Sequence, residues 1–291
     1  MAIRAFGGRV AAVAATAGAA LVTLGGPAHA TGQPLPYVAL GDSYSAASGV
    51  LPLDPSASPL CARSTANYPH VIAARTGAAL KDATCGGAQT KDFAGSQYPG
   101  VAPQLDALSD DTRLVTLTIG GNDNNTFINT ILACASAGIA TAGQGDPCRT
   151  LYGDSFAKDI DGKTYPAVKA ALEAVRNKAP KARVAVLGYP WIMPAKAQAG
   201  CFLKMPIASG DVPYVRDIQT HLNEAVRRAA AETGSTYVDL GTASEGHDAC
   251  QSSGTRWVEP ALFGTNFVPV HPNARGEAAM ADLTTDALGL R

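Results

Sequence analysis

The sequence predicts an α/β fold: a parallel sheet covered by helices on both faces. Three observations carry this. Apolar runs of strand length recur along the chain, the stretches between them have helical periodicity, and each run gives way to Gly, Asp or other polar residues. Strand, helix, strand alternation joins neighbouring strands by crossovers, which sets them parallel.

The first 30 residues stand apart. Arg4 and Arg9 precede a long Ala, Val, Leu and Gly run, and Ala28-His29-Ala30 has the small-x-small form of a cleavage site. The run from Val10 to Leu24 falls short of the roughly 20 apolar residues a membrane span requires. Residues 1–30 are therefore read as a signal peptide, and residues 31–291 as one secreted domain without stable membrane insertion. About 260 residues suffice for one sizeable core. Removing the leader takes two arginines and no acid from 23 basic and 24 acidic residues, leaving a balance of about −3. That excludes electrostatic capture of nucleic acid as a main function.

The first strand is expected over residues 37–40, followed by a weaker candidate at 78–84. Stronger runs follow at 114–119, 183–187 and 236–240. Val168, Leu172 and Val175 mark one helix, and Val215, Ile218, Leu222 and Val226 another. An Ala-rich segment with Met280 and Leu283 predicts a final helix. In parallel sheets ligands gather beyond the carboxyl ends of the strands. Three such places stand out: Gly41-Asp42-Ser43, Cys85-Gly86-Gly87 and Gly120-Gly121-Asn122-Asp123.

A serine hydroxyl needs a base to take its proton and donors to hold the oxyanion that forms. Ser43 directly follows a buried strand, and Gly41 allows a tight turn that exposes its hydroxyl. Gly153-Asp154-Ser155 repeats the motif, but no strand precedes it, so Ser155 is read as a loop or helix-cap residue. The G-x-S-x-G elbow does not occur. Four histidines follow the leader. His70 and His221 lie in helical patterns and read as surface or packing residues. His247, beside Asp248 and Cys250, is a rival base. His271 is the favoured one, because Pro269 and Pro272 stiffen the backbone around it. Asp42 and Asp123 are read as braces for their own turns.

Gly41-Asp42-Ser43-Tyr44, Gly86-Gly87-Ala88, Gly120-Gly121-Asn122-Asp123 and His271-Pro272-Asn273 together resemble the motifs of the SGNH or GDSL hydrolases. The match spans essentially the whole mature chain and is most similar to secreted actinobacterial lipases and esterases. The resemblance implies a flavodoxin-like three-layer α/β/α sandwich. It also implies ester hydrolysis through a Ser43–His271 dyad, with an oxyanion hole made by the Ser43 N–H, the Gly87 N–H and the Asn122 side chain.

The wider family commonly carries Asp three residues before the histidine, where this chain has Val268. In the secreted actinobacterial branch a backbone carbonyl takes that role, so the Val268 C=O is expected to accept the Nδ1–H of His271; Asp248 and Glu245 are the nearest alternatives. Six cysteines, Cys61, Cys85, Cys134, Cys148, Cys201 and Cys250, are an even set in an exported chain and favour disulfides over metal ligation. They permit 15 pairings, and the resemblance favours pairing successive ones. No cofactor or catalytic metal is expected, and a monomer is. Fatty-acyl or lipid esters are the expected substrates, with Tyr44, Leu51, Leu53, Tyr98, Phe127 and Trp191 as candidate pocket walls. A carbohydrate acetyl esterase and a non-catalytic secreted binding protein are the alternative readings.

Overall fold

Three strands of the sheet are mostly apolar because they are covered on both faces. They are β1 (Pro36–Gly41), β3 (Leu114–Thr118) and β4 (Arg183–Leu187), buried at nearly every position. The edges, β2 (Ala79–Asp82) and β5 (Thr236–Val238), are only partly buried. The computed structural model describes residues 1–3, 5, 7, 8 and 33–290. Most of the expected signal peptide, residues 1–30, lies outside the described residues. The chain divides into two units, Met1–Gln33 and Pro34–Arg291, and every element named here belongs to the second.

All strand pairs are parallel, in the order β2-β1-β3-β4-β5. This is the flavodoxin-like doubly wound order, and the fold is the expected three-layer α/β/α sandwich. The principal helices are α1 (Ser43–Ala46), α2 (Tyr68–Thr76), α3 (Thr126–Ala140), α4 (Tyr165–Lys178), α5 (Val212–Thr233) and α6 (Ala274–Leu288). α2 packs with α6 and α4 with α5. The apolar stripes read from the sequence, Val168-Leu172-Val175 on α4 and Val215-Ile218-Leu222-Val226 on α5, are buried. No described helix is long and apolar enough to cross a membrane.

Register brings the motifs together. Gly41 lies opposite Thr118 and Ala39 opposite Asp82, so β1, β2 and β3 finish at a common edge. Gly41 has φ +118°, and a Cβ there would collide with the Thr118 carbonyl oxygen, which explains the residue at this turn. The disulfides pair successive cysteines: Cys61–Cys85, Cys134–Cys148 and Cys201–Cys250. The first anchors the Gly86-Gly87 turn, whose Gly86 N–H also donates to the Cys61 carbonyl at 2.8 Å. The second ties α3 to the short helix Pro147–Tyr152.

Candidate active site

Ser43 is the first residue of α1. Asp42 caps that helix, its Oδ1 accepting the Tyr44 N–H at 3.0 Å. The Ser43 N–H therefore stands in the first turn, where helical amides have no partner within the helix. His271 lies two residues before Asn273, whose side chain caps α6 by accepting the N–H groups of Arg275 and Gly276. The Ser43 hydroxyl donates to His271 Nε2 at 2.7 Å.

The other ring nitrogen, Nδ1, lies 2.7 Å from the Pro269 carbonyl. A carbonyl only accepts, so Nδ1 carries the proton and Nε2 faces the serine as a base. This corrects the expectation that Val268 supplies the acceptor. Val270 has φ +59°, and this left-handed residue turns the chain so that the carbonyl two residues before the histidine faces the ring. Val268 packs toward Gly49 instead. Burial lowers the His271 pKa below its ordinary value, and the Pro269 bond only partly opposes this.

The other sequence candidates are occupied elsewhere. His247 stacks on Trp257 and bonds the Thr255 carbonyl. His70 faces Asn67, and His221 faces Asp161. Asp248 is buried and holds the Cys250 N–H and Gln251 within its own loop, while Glu245 pairs with Arg216. Neither acid supplies a partner for the imidazole. Ser155 opens the short helix Ser155–Asp159 and is exposed.

Gly87 and Asn122 flank the same edge. Gly87 has φ +76°, and its N–H has no acceptor among the described residues. Asn122 donates one amide N–H to the Ala88 carbonyl at 3.1 Å, which leaves its second N–H for another acceptor. Asp123 braces not its own turn but the neighbouring one, accepting the Thr90 N–H and hydroxyl, both at 2.8 Å. Burial raises its carboxyl above the ordinary range. Asp42 is likewise pushed up by burial, to about 6, against hydrogen bonds from Thr118, Tyr189 and Tyr44.

Ser43 and His271 open onto a cavity of about 320 Å³. One wall is the face of α3 carrying Phe127, Ile131 and Ala135, with Ile128 and Leu132 partly exposed along it; Ile192 and Val270 close the other side. Of the six candidate wall residues, Tyr44 and Phe127 line it. Leu51 and Leu53 are exposed away from it, Tyr98 lies beside Gly87, and Trp191 sits under the Arg216 guanidinium at 3.6 Å. Beyond Phe127 the α3 wall was missed, although Ile131 and Ala135 follow Phe127 at the four-residue helical spacing that would have revealed it. Tyr189 was also missed. It stands two residues beyond β4, as Ser43 stands two beyond β1.

Residues 39–279 match the model of the GDSL-like Lipase/Acylhydrolase family. The chain belongs to that family. With it, the chain is a hydrolase of carboxylic esters. It is 66% identical over 264 residues to Lipase 2 of Streptomyces coelicolor, covering 91% of this chain and 89% of that one. Among solved structures, phospholipase A1 of Streptomyces albidoflavus aligns with TM-score 0.71 and 29% identity, over 86% of this GDSL hydrolase and 98% of the other chain. The extracellular lipase of Streptomyces rimosus aligns with TM-score 0.69 and 30% identity over the same shares.

Proposed function

We propose that this chain is a secreted lipase or esterase that cleaves fatty-acyl esters through a Ser43–His271 dyad and an acyl-enzyme. The observation that carries the reading is the 2.7 Å bond between the Ser43 hydroxyl and His271 Nε2 at the mouth of an apolar cavity. The ester carbonyl sits at the dyad with its acyl chain along α3. As Ser43 Oγ attacks the carbonyl carbon, His271 Nε2 takes the hydroxyl proton. The Ser43 N–H, the Gly87 N–H and the free Asn122 amide N–H hold the oxyanion. Collapse expels the alcohol, which leaves with the proton from Nε2. Water then attacks the acyl-serine, giving its proton to the same nitrogen, and the second collapse releases the acid and restores Ser43.

An acetyl group would leave most of the α3 wall unfilled, which favours longer acyl chains over the acetyl-esterase alternative. Export is supported by the small-x-small leader and by three disulfides, which persist in oxidising compartments. Covalent labelling by a fluorophosphonate, compared between wild type and Ser43→Ala, tests the nucleophile, and undiminished labelling of Ser43→Ala would refute it. Asn122→Ala should lower turnover of a simple ester roughly 10²- to 10³-fold, and near-normal turnover would remove Asn122 from the oxyanion hole.

A further inference from the structure

We propose that Tyr189 is a positioning residue for the oxyanion hole, its hydroxyl fixing the Ser43 turn relative to the Asn122 turn. The hydroxyl makes two bonds at once. It donates to Asp42 Oδ2 at 2.5 Å and accepts the Gly121 N–H at 2.9 Å. Asp42 immediately precedes Ser43, and Gly121 immediately precedes Asn122. One oxygen atom therefore joins the residues next to two of the three oxyanion donors. The proposal rests on the assignment of Ser43 and Asn122 to that hole.

The linkage is stiff at every joint. Tyr189 is buried, its own N–H donates to Asn223 Oδ1 at 2.7 Å, and its ring meets Tyr44 edge to face at 5.1 Å. Asp42 is held in turn by Thr118 Oγ1 at 2.6 Å and by the Tyr44 N–H. A hydroxyl bonded to a carboxylate is among the stronger neutral-to-charged bonds, and neither Asp42 nor Gly121 is exposed enough for bulk water to replace it. Oxyanion donors act only when held about 2.7–3.1 Å from where the charge develops. Displacements of about half an ångström are enough to matter. Tyr189 also borders the acyl cavity, but loss of the hydroxyl alone keeps its ring, so the change falls on the spacing of two donors, and hence on the transition state, with little change in ground-state binding.

Tyr189→Phe deletes the oxygen and keeps the ring. It should lower kcat on a soluble short-chain ester about 10-fold with KM within about 2-fold, less than the loss on removing a donor outright. The inhibition constant of an alkyl trifluoromethyl ketone, whose adduct with Ser43 is a tetrahedral oxyanion, should rise by a similar factor, while affinity for octanoate stays unchanged. In an Asn122→Ala background the same substitution should cost less than about 2-fold, because the donor it positions is gone. Full kcat in Tyr189→Phe overturns the proposal. So does an equal loss in the Asn122→Ala background, or weakened octanoate binding, since these mark general loosening. If Tyr189→Phe does not fold, Asp42→Asn, which removes the acceptor and keeps a side chain able to cap α1, carries the same cycle with the same outcomes deciding. Full activity in Asn122→Ala itself would instead refute the oxyanion assignment beneath the proposal.

Discussion

Ala135→Phe should shorten the acyl chain this enzyme prefers. α3 begins four residues after Asn122, so its successive turns stand progressively farther from Ser43, and Phe127, Ile131 and Ala135 line the cavity turn by turn. At 1.5 Å per residue that wall is about 12 Å long. Three bonds of an extended chain span about 3.3–3.6 Å, or roughly 1.2 Å per bond, so the wall matches an acyl chain of roughly ten carbons. A phenyl group at position 135 fills the last turn, about 6 Å, and displaces roughly five of them. Each buried methylene contributes about 0.8 kcal/mol, so the discrimination between C10 and C5 esters changes by at most about 4 kcal/mol; partial burial brings this down, and a 10-fold change is the least expected. The assay is kcat/KM for p-nitrophenyl esters from C4 to C12. The wild type should peak near C10 and the variant near C4 to C6, with butyrate turnover nearly unchanged. A variant profile that superimposes on that of the wild type, or one lowered equally at every length, would place the acyl chain elsewhere.

His271→Ala should abolish ester turnover, whereas His247→Ala, which loses only its stack on Trp257 and its bond to Thr255, should retain it; initial rates on one ester separate the two. Because burial lowers the His271 pKa, its base form persists to lower pH than that of an ordinary imidazole, and the acid limb of kcat/KM should be centred below 6.5. A limb centred above pH 7 would contradict this. Tyr44→Phe removes the hydroxyl that donates to the Val270 carbonyl at 2.8 Å, and should lower kcat by several-fold without raising KM, as steady-state kinetics would reveal. Glu277 is fully buried, with one oxygen accepting the Tyr68 N–H and the other unpartnered, and burial raises its pKa well above the ordinary value. A raised carboxyl supports the fold below its unfolded pKa and loses that contribution as pH rises through the folded one. Glu277→Gln should therefore flatten the decline of Tm on the alkaline side, and an unchanged slope would argue against it.

What could be read in the sequence follows from where each element sits. β1, β3 and β4 are covered on both faces and announce themselves as apolar runs. β2, with the sequence Ala-Leu-Lys-Asp, is a half-exposed edge and reads weakly. β5 ends sooner than its apolar run because the Asp239 side chain caps the short helix Leu240–Ala243. The placing of Ser43, Gly87 and Asn122 at one sheet edge was legible because glycine-rich turns at the carboxyl ends of parallel strands carry residue-type signals. The histidine acceptor was not. Which carbonyl faces the ring depends on the φ of Val270, and a β-branched residue is the least expected one in the left-handed region. Tyr189 carried no distinguishing signal either, since a tyrosine after a strand is ordinary core material until register puts its hydroxyl between two turns.

The strain at Val270 and the missing triad acid belong to one arrangement. The left-handed turn is held by the Val270 N–H donating to the Glu259 carbonyl at 3.0 Å, by the Glu259 N–H donating to the His271 carbonyl at 2.9 Å, and by the Tyr44 hydroxyl. Glu259 is itself buried against Arg256 at 2.6 Å and bonded by Thr265 and Asn273. These groups keep its carboxyl below the usual range although burial alone would raise it. A loop fixed this firmly orients the imidazole without a carboxylate. In the proposed reaction the imidazolium and the oxyanion form together, so the site gains no net charge and each stabilises the other where water is scarce. The neutral Pro269 carbonyl then has only to fix the tautomer, and on the proposed mechanism the stabilisation an acid would give falls to the oxyanion donors, whose spacing would matter more than in a full triad.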